Sequence, residues 1–196
     1  MTPTQHHLSR VASIVASAFV LACGGTGAPG GDGGTTASGR PGPDLSMFPA
    51  CVPDGQVEPP HMDIAGAIYS VPVPAELEPF ASYSVEDVSL CRLGSGIELG
   101  YSLPALLVGK KTRVAFAGTY DSANGTYELS SADGTASCEL AGEAWSCLEH
   151  FTGIEVDLEE VAEEAEDLSQ QEAAARLDVA EQFSGDPIGI LDFTLP

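Results

Sequence analysis

Short apolar runs separated by turn-forming residues dominate the chain after residue 61, a pattern typical of antiparallel strands. Alternation is clearest in Thr112 to Tyr120, and Asn124-Gly125 follows as a turn pair that accepts positive φ. The same reasoning predicts strands over residues 62–73, 83–92, 96–103, 112–120, 126–131, 132–140, 143–151 and 188–195.

Residues 157–183 have a different character, because they contain no Gly or Pro and are rich in helix-forming residues. Apolar residues recur at spacings of three and four from Leu158 to Leu168. This predicts one long acidic helix, or two with a break near Ser169-Gln170. The predicted fold is therefore α+β: a mostly antiparallel sheet, as a sandwich or open barrel, with a long acidic C-terminal helix followed by a final strand.

The N-terminus predicts an export signal. Residues 11–22 are uncharged and follow Arg10, and 12 apolar residues are too few to cross a membrane, which takes about 20. Residues 24–44 then contain nine Gly and few apolar side chains, so they predict a flexible tether. The chain thus divides into a signal peptide (1–22), a modified cysteine with its tether (23–44) and one globular domain (45–196).

Val20-Leu21-Ala22-Cys23 resembles the lipobox of bacterial lipoprotein precursors. The resemblance covers about the first 23 residues and implies that the Cys23 thiol receives a diacylglyceryl group before a peptidase cuts in front of it. In that family an aspartate after the cysteine retains some lipoproteins in the inner membrane. Gly24 in that place favours the outer membrane. The alternative is a plain secretory signal that ends by chance at a cysteine.

Four cysteines remain after Cys23, and an even count in an exported chain predicts disulfides. A two-residue turn at Gly142-Glu143 would place Cys138 opposite Cys147 in a close, non-hydrogen-bonded pair. Cys51 then pairs with Cys91 by elimination. A four-thiolate metal site is the alternative, but no C-x-x-C spacing supports it.

The charge of the chain restricts its partners. Without Arg10, the chain has six Lys and Arg residues and 29 Asp and Glu residues, which gives a formal charge of −23. Such a surface repels nucleic acid and anionic lipid, so membrane contact is expected only through Cys23. Cations or basic partners are compatible with this charge.

No motif identifies a catalytic residue, a metal ligand or a cofactor. Neither H-E-x-x-H nor G-x-S-x-G occurs, and His61 and His150 are the histidines left after the signal. Glu149 and His150 are interpreted as a surface pair, and the acids of residues 155–167 as the solvated face of a helix. Trp145 and the tyrosines could stack on sugars but are interpreted as core residues.

These observations predict a lipid-anchored cell-envelope protein with a non-catalytic binding or structural role and a protein or glycan partner. Two alternatives stay open. One is a module that binds a small ligand, a metal or a carbohydrate. The other is an envelope hydrolase that uses a pair of carboxylates, because the signature of such a pair is spatial and not sequential.

Overall fold

A computed structural model describes residues 42–51 and 62–196. The predicted signal peptide, Cys23 and nearly all of the tether lie outside the described residues, so their predictions stand as made. Within the described part, no helix is both long and apolar enough to cross a membrane.

Ten strands in the described residues form one sheet in which every pairing is antiparallel. The strands are β1 (Met62–Ile64), β2 (Ala67–Ser70), β3 (Ser82–Val85), β4 (Val88–Leu93), β5 (Gly96–Leu103), β6 (Thr112–Asp121), β7 (Thr126–Ser130), β8 (Gly134–Ala141), β9 (Ala144–Phe151) and β10 (Ile188–Thr194). Their order across the sheet is β1-β4-β5-β6-β7-β8-β9-β10-β2-β3. The fold is thus α+β with a dominant antiparallel sheet.

Two short links show that the sheet curls, Ala65-Gly66 between β1 and β2 and Glu86-Asp87 between β3 and β4. β1 lies at one end of the order and β2 near the other, yet only Ala65 and Gly66 join them. Eight strand spacings of about 4.8 Å would separate the two in a flat sheet, roughly 38 Å, which so short a link cannot cross. Of the two predicted arrangements, the structure has a single sheet curled into a half-barrel and not two packed sheets.

These links also correct two strand predictions. Residues 62–73 and 83–92 were each expected to form one strand, but each is split by a residue with positive φ. Gly66 has φ of 73° and Asp87 has φ of 59°. Extended backbone cannot continue through that conformation, so the chain turns there and joins the opposite end of the sheet.

Three α-helices accompany the sheet in the described residues, together with 3-10 turns at Leu45–Met47 and Glu78–Phe80: α1 (Ala105–Val108), α2 (Leu158–Glu164) and α3 (Gln170–Gly185). Residues 157–183 therefore form two helices with a break before Gln170, and not one long helix. Each has its own N-cap, because Asp157 accepts the backbone N–H of Glu159 and Glu160, and Ser169 accepts that of Glu172. The acids concentrate in short α2, whereas α3 directs Val179 and Phe183 into the core.

The core fills the concave side of the sheet, where alternate residues of each strand point inward. The largest fully buried side chains there are Trp145, Tyr69, Tyr101, Tyr127, Phe116, Phe151 and Phe183. Trp145 stacks between Tyr127 and Phe193, at ring-centroid distances of 5.3 and 5.5 Å. The sheet aromatics are thus core residues, the interpretation favoured from the sequence.

Disulfides join Cys138 to Cys147 and Cys51 to Cys91, the two pairs that the sequence predicts. The turn at Gly142, with φ of 71°, sets the register in which Cys138 faces Cys147 and Leu140 faces Trp145. The first bridge is buried between two central strands. The second bridge, Cys51–Cys91, attaches the segment before β1 to strand β4.

Candidate functional site

The most unusual polar group of the described chain lies inside the half-barrel. Glu149 on β9 is fully buried, and its Oε2 accepts a hydrogen bond from the hydroxyl of Tyr101 on β5. Tyr69 on β2 contributes a second buried hydroxyl, and its ring lies 6.0 Å from that of Tyr101. We call Glu149, Tyr69 and Tyr101 the buried Glu149 cluster.

A glycine makes room for this cluster. Gly189 on β10 faces Glu149 directly, and the Tyr69 hydroxyl occupies the space that a Cβ at position 189 would need. Tyr69 is itself paired with Leu191, so its ring leans along β10 toward the carboxyl group. The sheet register and one missing side chain therefore bring a tyrosine hydroxyl beside a buried acid.

Burial dominates the electrostatics of the cluster. It raises the pKa of Glu149 to about 8, although the hydrogen bond from Tyr101 acts in the opposite direction. Burial, and then the nearby Glu149, raise the pKa of both Tyr69 and Tyr101 well above 10. The cluster is thus neutral through most of the physiological pH range.

Glu149 corrects the sequence interpretation, which placed Glu149 and His150 together on the surface. Only His150 lies there, with its Nε2 4.0 Å from a carboxylate oxygen of Asp186. A usable signal existed, because Trp145, Cys147, Glu149 and Phe151 share one face of an alternating strand. A fully enclosed carboxyl group holds its neighbours in place but does not touch a large substrate.

A groove on the opposite, convex face is an accessible feature suited to binding. It has a volume of about 480 Å³ and crosses four neighbouring strands, β8, β9, β10 and β2. We call it the outer groove; its lining consists of Ala65, Gly66, Ile68, Glu139, Leu140, Ala141, Ala144, Trp145, Ser146, Asp192, Phe193 and Thr194.

Small outward side chains create the outer groove. Ala141 on β8 pairs with Ala144 on β9, and both are exposed, so the sheet surface is low there. Ile68 forms an apolar wall and is 38% exposed. Leu148, 55% exposed, is the next outward residue on β9 after Ser146 and pairs with Ile190. Exposed apolar residues that adjoin one another in this way are typical of interaction surfaces.

Two acids flank the groove. Glu139 and Asp192 both pair with Ser146, one from each side, which places them two strands or roughly 10 Å apart. Within the described ranges, neither carboxylate forms an ion pair. The outer groove therefore combines an apolar floor with two carboxylates that lack a cationic partner in this part of the chain.

The cations of the described residues lie elsewhere. Lys111 pairs with Asp87 at 2.8 Å, and Arg113 donates to the Asp87 backbone oxygen at 2.6 Å, both near the turn before β6. Arg176 on α3 donates to the backbone oxygen of Phe80. Lys110 adjoins Lys111, and Arg92 lies on β4, so none of these groups can neutralise the groove.

One grouping in the described part has metal-ligand spacing, namely Cys51, Cys91 and Glu98. Its two sulfurs are joined in a disulfide, so they are not thiolates and do not suit a metal ion. His61 lies outside the described residues.

The chain was compared with protein families, curated proteins and solved structures. No protein family, curated protein or solved structure was found to match this chain.

Proposed function

We propose that this chain is a lipid-anchored protein of the bacterial cell envelope that binds a protein partner without catalysis, through the outer groove. The observation that carries the proposal is the exposed apolar groove of about 480 Å³, built from small side chains on four strands. Most of a globular protein's outward strand positions are polar, so a depression whose surface is mainly apolar marks a candidate contact surface.

An open groove suits a partner's side chains better than a small molecule. Small-molecule sites enclose most of their ligand, whereas the outer groove lies along the face of a sheet. The best-placed carboxyl group for chemistry, Glu149, is sealed on the other side of that sheet. The groove itself offers Ser146 and two carboxylates, which can hydrogen-bond or pair with a cation.

The location rests on separate support. The residues around Cys23 resemble a lipobox, which supports the proposed lipid anchor. Gly24 in the next position favours the outer membrane. The two disulfides agree with an oxidising compartment outside the cytoplasm. The predicted tether after Cys23 would allow the domain to reach a partner while it stays attached to the membrane.

Photo-crosslinking tests the binding role. Benzoylphenylalanine replaces Ala144, which is exposed in the groove, and in a matched control it replaces Glu159, which is exposed on α2. On irradiation of intact cells, we expect a discrete adduct from position 144 that is at least several-fold stronger than that from position 159. Equal yields from both positions would show that the groove has no special partner.

A further inference from the structure

We infer that the outer groove binds a basic, apolar-anchored segment of a protein partner: a large apolar side chain between two Lys or Arg residues. The inference rests on the proposed binding function and names its partner chemistry. It starts from the arrangement of Glu139, Ser146, Asp192 and Ile68, which face one another across four strands.

The size of the groove limits the length of the partner segment. Three strand spacings of about 4.8 Å give a width of roughly 14 Å, which four or five extended residues would cross. Ala141 and Ala144, two residues along their strands from Glu139 and Ser146, leave space for one large side chain at the β8–β9 end of the groove. That side chain supplies the apolar contact.

The charge decides which segment fits. Glu139 and Asp192 are exposed, about 10 Å apart, and without an ion pair among the described residues. Lys and Arg side chains that flank an apolar residue can reach both carboxylates. An acidic segment would be repelled by the groove and by the whole chain, whose formal charge is −22.

The same charge argues against a second copy as occupant. A two-fold contact would bring two copies of Glu139 and Asp192 together, with no Lys or Arg on β8, β9, β10 or β2 to offset them. A cationic partner avoids this cost. It would also be attracted over distance, and its association rate would fall with added salt.

Peptide titration followed by NMR tests this chemistry. The probe is an eight-residue capped peptide with two lysines flanking a leucine, added to the full mature chain with Cys23→Ser, which keeps it soluble. Two comparison peptides carry glutamates in place of the lysines or alanine in place of the leucine. We expect the first peptide alone to shift the amide signals of Ala144, Ser146 and Asp192, with a dissociation constant on the order of 0.1–1 mM.

Charge-removing variants give the matched control. Glu139→Gln with Asp192→Asn should weaken the lysine peptide about two- to thirtyfold, because two exposed ion pairs are lost. Glu159→Gln with Glu163→Gln removes the same charge from α2 and should change the affinity less than twofold. If both pairs of variants weaken binding equally, the effect is the net charge and the inference is wrong.

The remaining outcomes separate this inference from the proposed function. If the glutamate peptide shifts the groove signals as well as the lysine peptide does, the inference is overturned while the groove remains a binding surface. The same holds if groove signals move with protein concentration alone, which would identify a second copy. The crosslink at position 144 does not depend on the partner's charge, so its loss would overturn the binding function itself.

Discussion

Two tyrosine rings enclose the Glu149 carboxyl group, so the folded protein holds a proton that the unfolded chain releases in water. The ordinary pKa of 4.5 rises to about 8 in the fold, chiefly through burial. Between these values the folded state binds more protons than the unfolded state. The free energy of unfolding must therefore decrease as pH rises from about 4.5 to 8.

Glu149→Gln should remove this dependence. The amide stays neutral at every pH and can still accept the hydrogen bond from Tyr101. We expect the wild-type protein to lose stability with a slope of up to about 1.4 kcal/mol per pH unit in this window, and the variant to lack that contribution. Urea unfolding at pH 5, 6, 7 and 8 measures both, with Glu159→Gln as an exposed control. Identical slopes for wild type and Glu149→Gln would contradict the buried, protonated state.

The burial of Glu149 could be predicted from the sequence only in part. Alternation along β9 gives Glu149 the same parity as Trp145 and Cys147, which predicts an inward side chain. Charged residues are rarely buried, which favoured the surface interpretation instead. What encloses Glu149 is Tyr101, 48 residues away, and no local pattern predicts that contact.

At the scale of single elements, local rules predicted the register of one hairpin well. The turn at Gly142 fixes which residues of β8 and β9 face each other, so Cys138 opposite Cys147 follows from the sequence alone. The split strands did not follow, because Gly66 and Asp87 adopt positive φ to join distant edges of the curled sheet. Of the two forms predicted for residues 157–183, the structure has the two helices with a break near Ser169-Gln170, because Asp157 and Ser169 each cap the start of a helix.

Ser169 should matter more than its exposed position suggests. Its Oγ accepts the backbone N–H of Glu172 at 3.2 Å and starts α3, which carries Val179 and Phe183 into the core. Ser169→Ala should lower the free energy of unfolding by about 1 kcal/mol, whereas Ser169→Asp, which can also cap, should retain it. Urea denaturation gives both values. An equal loss in the two variants would show that the cap is not the cause.

At the scale of the whole molecule, the outer groove could not be predicted from the sequence. It needs β2 beside β10, and β10 beside β9. Yet Ile68 on β2 and its partner across the sheet, Asp192 on β10, lie 124 positions apart in the chain, 192 minus 68. Alanines and acids that are unremarkable in their own strands become a groove only when the four strands meet. The antiparallel character of the sheet, in contrast, is visible in the alternation of strands such as β9.

The lipid anchor is also a prediction for the whole molecule. Cys23→Ser removes the thiol that the resemblance assigns to the diacylglyceryl group, so the protein should move from the membrane fraction to the soluble fraction of the envelope. Fractionation with immunoblotting, repeated at high salt, measures the change. The acidic domain itself should add little membrane affinity. A variant that still sediments with membranes at both salt concentrations would show that Cys23 is not the anchor.

The central claim is that the outer groove binds a protein partner, and the crosslink yield at position 144 relative to position 159 tests it most directly. The account predicts a discrete adduct from position 144 that largely disappears when Ile68→Glu is added to the groove wall, while the weak background at position 159 stays unchanged. Equal yields at the two positions, or an adduct at position 144 that is insensitive to Ile68→Glu, would contradict it.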